Sequence, residues 1–163
     1  MQLALAEIKG IIATAMSATA VKKYYVGKVK TPPLAYLPVV CVYAEATELV
    51  SDQLGTARDK YRYTIGIDLI MSGFEKVSTT GVEADSILDA QKALIDLMEE
   101  RDANGTPKAA TILGTLRRNI QGTNYLFNND ISIDYDFDNI VNDTLYMKGT
   151  LNFSMVTQLT NRS

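Results

Sequence analysis

Ile131-Ser132-Ile133-Asp134-Tyr135-Asp136-Phe137-Asp138 alternates apolar and polar side chains without a break. Successive side chains of a strand point to opposite faces, so Ile131, Ile133, Tyr135 and Phe137 share one side and Ser132, Asp134, Asp136 and Asp138 the other. The segment is a half-buried strand. After Asn139–Asp143, turn formers around two apolar residues, the alternation resumes with Leu145, Met147, Leu151, Phe153 and Met155 facing one way. Tyr146, Lys148, Thr150, Asn152 and Ser154 face the other. The run from Ile131 to Val156 therefore predicts a long antiparallel hairpin with an oily face and a carboxylate-rich face. A sheet with one solvated side organises the fold.

Working outward, Lys60–Ser72 alternates in the same way, with Tyr61, Tyr63, Ile65, Ile67, Leu69 and Met71 opposed to Arg62, Thr64, Gly66 and Asp68. At this length it exceeds the usual strand, which predicts an arm or a hairpin with the segment before it. Val39–Ala44 is apolar on both faces and reads as an interior strand, with Pro38 tolerated at its start. Between them, Glu45–Lys60 has no clean period and reads as a long loop, the kind that carries contacts. Lys22, Lys23, Lys28 and Lys30 with Tyr24 and Tyr25 read as a solvated surface crossover ending at Thr31-Pro32-Pro33.

Three helices are predicted. Leu5, Ile8, Ile12 and Ala15, with Ile11 and Met16 beside them, mark an amphipathic helix over about 2–19. Thr80 and Glu83 form a capping box before a stripe of Ala84, Ile87, Leu88, Leu94, Ile95 and Met98, with Arg101 near the negative end and Asn104-Gly105 as the stop. Thr106-Pro107 then reads as an N-cap with proline at the first position of a helix carrying Ala109, Ile112, Leu113, Leu116 and Ile120, stopped at Gly122. The expected fold is α+β: one domain over 1–163, a mostly antiparallel sheet of about four strands flanked by helices.

A chain of 163 residues can bury roughly 70% of its unfolded surface, so no disulfide or metal is needed to hold it. Sixteen basic and nineteen acidic side chains leave a net charge of −3, against the positive field that tight nucleic-acid binding requires. Cys41, the only cysteine, lies in an apolar run and reads as a small core hydrophobe suited to a reducing compartment. Glu7 and Lys9 interrupt the apolar N-terminus, so neither a signal peptide nor a membrane span is expected.

The chain has no histidine, which removes the Ser-His-Asp and Cys-His arrangements and the commonest zinc ligands. No phosphate-cradling glycine loop occurs, and Gly10, Gly27, Gly55 and Gly66 are isolated. Asp134, Asp136 and Asp138 have the spacing that opens a calcium loop, but Asn139 stands where glycine is needed and Leu145 where the closing glutamate belongs. The pleat already explains that spacing. No catalytic, cofactor-binding or metal-ligating residue is expected.

The order of elements, the acidic strand Asp134–Asp138, the closing strand Gly149-Thr150-Leu151-Asn152-Phe153-Ser154 and the helix Asp85–Met98 after a tyrosine-bearing strand resemble the tail terminator, or tail-to-head joining, proteins of long-tailed bacteriophages. The resemblance implies a non-enzymatic virion protein, made in the host cytoplasm, that caps the tail tube as a hexameric ring. Its partners would be further copies of itself, the tail tube protein, a neck or head-completion protein, and a sheath protein where the tail contracts. DNA would be passing cargo only. On that reading Glu45, Glu48, Asp52, Arg58, Lys60 and Arg62 are expected at a subunit or tube interface. Arg117 and Arg118 either offset the dipole of their own helix or pair with a neighbour's carboxylates. Asp134, Asp136 and Asp138 are expected toward the ring lumen, where carboxylates repel phosphate. A head-completion or neck subunit and a binding module using strand edges are the alternatives.

Overall fold

The computed structural model describes residues 2–16, 20–49, 58–73, 83–119, 125–142 and 144–160, with side-chain placement for 4–16, 20–49, 61–73, 88–119, 130–142 and 144–156. In chain order the elements are α1 (Gln2–Ala15), β1 (Lys23–Val26), a 3-10 turn (Leu34–Tyr36), β2 (Val39–Leu49), β3 (Arg58–Ser72), α2 (Glu83–Glu99), α3 (Ile112–Asn119), β4 (Tyr125–Val141) and β5 (Thr144–Thr160). They form a single α+β domain. The strands make one open sheet in the order β1-β2-β3-β5-β4, with β1 parallel to β2 and every other pair antiparallel.

The helices pack on one face only. Leu5, Ile8 and Ile12 of α1 with Met16 just after it, Leu94 and Met98 of α2, and Ile112, Leu113 and Leu116 of α3 share a core with Val40, Val42, Ile65, Ile67, Leu69, Met147, Leu151 and Phe153 of the sheet. The predicted alternation of β3, β4 and β5 places these residues: every second side chain enters this core, while their neighbours point to the uncovered side. Ile131, Ile133, Tyr135 and Phe137 pack against its margin. Gly149 lets α2 approach β5, since a Cβ there would stand 2.9 Å from Met98 Cγ.

Several expectations are corrected. The sheet has five strands rather than four, because Lys23–Val26, read as part of a surface crossover, pairs with β2. Four residues are too few to show a period; Tyr24 packs toward the helices and Tyr25 toward the opposite face, which anchors the strand. The first part of the expected long loop, Glu45–Leu49, is strand as well. All five of its side chains are exposed, so no burial pattern marks it, and a bulge at Ala44–Ala46 carries the pairing on to Leu49↔Tyr61. The hairpin alternative for the long strand is thus present, with its tip at 50–57 outside the described residues.

Two helix boundaries also move. Thr80 of the expected capping box is outside the described residues, as are Ile120 and Gly122. Helix α2 ends at Glu99, before Asn104-Gly105, and Arg101 ties the following turn by donating from Nη1 to the Gly105 carbonyl at 2.9 Å. Thr106-Pro107 does not open α3, because Asp102 Oδ1 accepts from the Asn104 and Thr106 amides and Pro107 bridges to Arg101. The N-cap is Thr111, whose Oγ1 accepts from the Gly114 amide at 3.0 Å; a threonine cap three residues before a free amide meets the same need. On α2, Leu94 and Met98 are buried, while Leu88 and Ile95 of the expected stripe are exposed.

Candidate functional site

The uncovered face of the sheet is built differently from the covered one. It carries a small cluster that runs from β2 to β5, Leu37, Val39, Cys41, Tyr43, Ile70 and Tyr146, roofed by the 27–38 crossover from β1 to β2. The Tyr146 hydroxyl donates to the Pro32 carbonyl at 3.3 Å, which fastens that crossover. Cys41 is a buried free thiol within the cluster, as expected, and burial pushes its pKa up, so it is held uncharged.

At the centre of this face lies Asp68, a carboxylate only 1% exposed. Its Oδ1 accepts from the Tyr43 hydroxyl at 2.9 Å and from the Thr150 hydroxyl at 2.8 Å. A buried charge requires such partners. Tyr43 reaches Asp68 by lying across Gly66: a Cβ at Gly66 would stand 2.5 Å from Tyr43 Cε2 and Cζ, so glycine is needed for the close approach. Burial, and then the bond to Asp68, raises the Tyr43 phenol above the ordinary tyrosine range. The Lys28 ammonium sits 4.7 Å from the centre of the Tyr43 ring and 3.7 Å from Glu45 Oε1.

Beside Asp68 opens a cavity of about 350 Å³ lined by Lys28, Lys30, Ile70, Tyr146 and Lys148 among others. It combines an acceptor already engaged by two hydroxyls with several ammonium groups around it. Among the described residues no group of three or more acidic or thiol side chains is placed to hold a metal ion, and no helix is long and apolar enough to cross a membrane.

Farther along the same face the surface becomes small and polar, with Thr64, Asn152 and Ser154 in place of large side chains. Among the described residues, two buried polar atoms here, Asn152 Oδ1 and Arg62 Nε, have no hydrogen-bond partner. Groups of that kind ordinarily find one. The β4 margin is acidic: Asp130, Asp134, Asp136 and Asp138 are all exposed, and the pleat separates them from the apolar residues between. The opposite margin carries Lys22 and Lys23, exposed just before and at the start of β1.

The residues singled out for contacts are dispersed. Glu48 and Arg62 stand in register on β2 and β3 and pair with each other at 3.4 Å, and Glu45 pairs with Lys28. Asp52 lies outside the described residues. Arg58 and Lys60 are in β3, and their side chains lie outside the described ones. Arg117 and Arg118 end α3 exposed, and Arg118 Nη2 reaches back to the Pro107 carbonyl at 3.5 Å. Asp134, Asp136 and Asp138 share one face of β4, as read. Asp68 and Tyr43 were not singled out. The signal was there in part, since Asp68 is a lone carboxylate on an interior strand two residues from Gly66 and on the same face, but which tyrosine would reach it depends on register.

No family model matches the chain, and no curated protein is significantly similar to it.

Proposed function

We propose that this chain is a structural, non-catalytic subunit that assembles with copies of itself into a ring capping the tail tube of a long-tailed bacteriophage and joining it to the neck. The observation that carries the reading is the uncovered sheet face with its opposite-charged margins and unpartnered buried polar atoms, a surface suited to protein contacts. The element order that resembles the tail terminators supports it. Glu45, Glu48 and Arg62 lie where the β2–β3 hairpin leaves the helix-covered body, and on this reading that hairpin, with Asp52, Arg58 and Lys60, reaches the tube or the next subunit. On this reading Asp134 and Asp138, exposed at the β4 margin, present negative charge to passing DNA.

Imaging of assembled particles carrying a tagged copy of the chain tests the proposal. Density for the tag in a ring between tube and neck is the expected result, together with overlong tubes when the chain is omitted. A position inside the capsid, or none in the particle, overturns it. The open strand edges also favour a second reading, a module that binds an extended peptide by strand addition; it predicts a monomer that captures peptide in solution.

A further inference from the structure

Strands β1 and β4 are the outermost of the sheet, and an outer strand presents a row of backbone N–H and C=O groups on its open side. The register shows how these two edges are levelled. Lys23 is opposite Val39, Val39 opposite Ile70, Ile70 opposite Lys148, and Lys148 opposite Asp136. The next rank on the same face runs from Tyr25 through Cys41, Asp68 and Thr150 to Asp134. Lys23 and Asp136 therefore stand at the same level and on the same face, at opposite edges of one sheet. Following the pair directions across the sheet, β4 runs opposite to β1.

A second copy displaced sideways along the sheet, neither inverted nor turned over, brings its β4 alongside β1 in the antiparallel sense. Lys23 then faces Asp136 of the next copy. On the helix side, Val26, exposed to 43%, comes level with Ile133 of that copy. We infer that copies of this chain join edge to edge, β1 of one against β4 of the next, with Lys23 meeting Asp136 and Tyr25 level with Asp134.

Charged side chains beside an edge commonly keep edges apart. Here they do so selectively. Two β4 edges would bring rows of aspartates together, and two β1 edges would bring lysines together; only the mixed contact attracts. A contact between unlike patches is head-to-tail, and such contacts give a ring when the rotation closes and a filament when it does not. The inference supplies the subunit contact for the ring proposed above and rests on that reading for closure alone.

Two charge reversals test it by sedimentation velocity: K23E and D136K, each checked for native circular dichroism. The wild type is expected to associate with rising concentration, less so as salt screens the contact. Each variant alone should associate about tenfold more weakly or worse and run as a 17.9 kDa monomer. Mixing the two variants restores opposite charge at both kinds of junction, so the mixture should form species larger than a dimer. A wild type that stays monomeric at every concentration and salt overturns the inference, as does a mixture that stays monomeric. A mixture that stops at dimers also overturns it, in favour of a two-fold contact. Rescue by mixing with no ring at the tube–neck junction leaves the edge contact standing and removes the tail-capping reading; a ring that survives both reversals does the opposite.

Discussion

The two faces of this sheet use the same strands for different ends. On the covered face, Ile65, Ile67, Leu69, Leu151 and Phe153 are sealed under three helices, and the hydrophobic effect does the stabilising. On the other face the same strands carry Asp68, Thr150, Asn152, Lys148 and, at the margin, the aspartates of β4. There a small apolar cluster lies under the 27–38 crossover, and hydrogen bonds and charge set the rest. The difference teaches that alternation along one strand can give packing to one set of residues and polar contacts to the next.

The covered face should break hardest. Phe153→Ala, at a side chain 1% exposed, is expected to cost about 3–5 kcal/mol in urea unfolding, and a loss below 1 kcal/mol would mean that the helix-covered side is not the main core. Next is Gly66→Ala, where the new Cβ must displace the Tyr43 ring from Asp68; about 1–3 kcal/mol is expected. In a double-mutant cycle with Tyr43→Ala the two losses should fall short of their sum, and strict additivity would show that the ring is not what requires glycine.

Tyr43→Phe should cost about 1–2 kcal/mol by leaving Asp68 with the Thr150 hydroxyl. Alkaline pH probes the same bond. The phenols of Tyr43 and Tyr135 are both raised, first by burial and then by bonds to Asp68 and to Glu99, the latter at 2.7 Å. A raised folded pKa means the native state keeps its proton longer, so this contribution is full below the ordinary tyrosine value of about 10 and is lost as pH climbs above it. Stability should decline through that range, less steeply in Tyr43→Phe/Tyr135→Phe, and equal slopes would refute the assignment. The smallest effect belongs to the open margin: Asp134→Asn and Asp138→Asn should leave subunit stability within about 0.5 kcal/mol. A larger loss, read by the same urea titration, would show that these aspartates hold the fold.

Legibility from sequence followed burial. β3, β4 and β5 could be read because one side of each is buried and the other is not, which writes a period of two into the chain. β1 and the end of β2 could not: Lys23 and Val26 are exposed, and Glu45–Leu49 is exposed throughout, so only pairing with a distant strand makes them extended. Leu88 and Ile95 misled because apolar residues on two adjacent sides of α2 look like one stripe until the sheet takes one of them. Thr106-Pro107 has the chemistry of a helix start, yet Asp102 claimed its amide first.

By itself, then, the sequence determined which residues of the long strands share a face, because a pleat has a period of two whatever surrounds it. It also determined that the aspartates of β4 stand apart from the apolar side chains between them. Only the tertiary structure decided which face the helices cover, that Tyr43 crosses Gly66 to reach Asp68, and that Lys23 and Asp136 end at one level on opposite edges. Those facts depend on register between strands far apart in the chain, and register is settled by packing and pairing rather than by any local pattern.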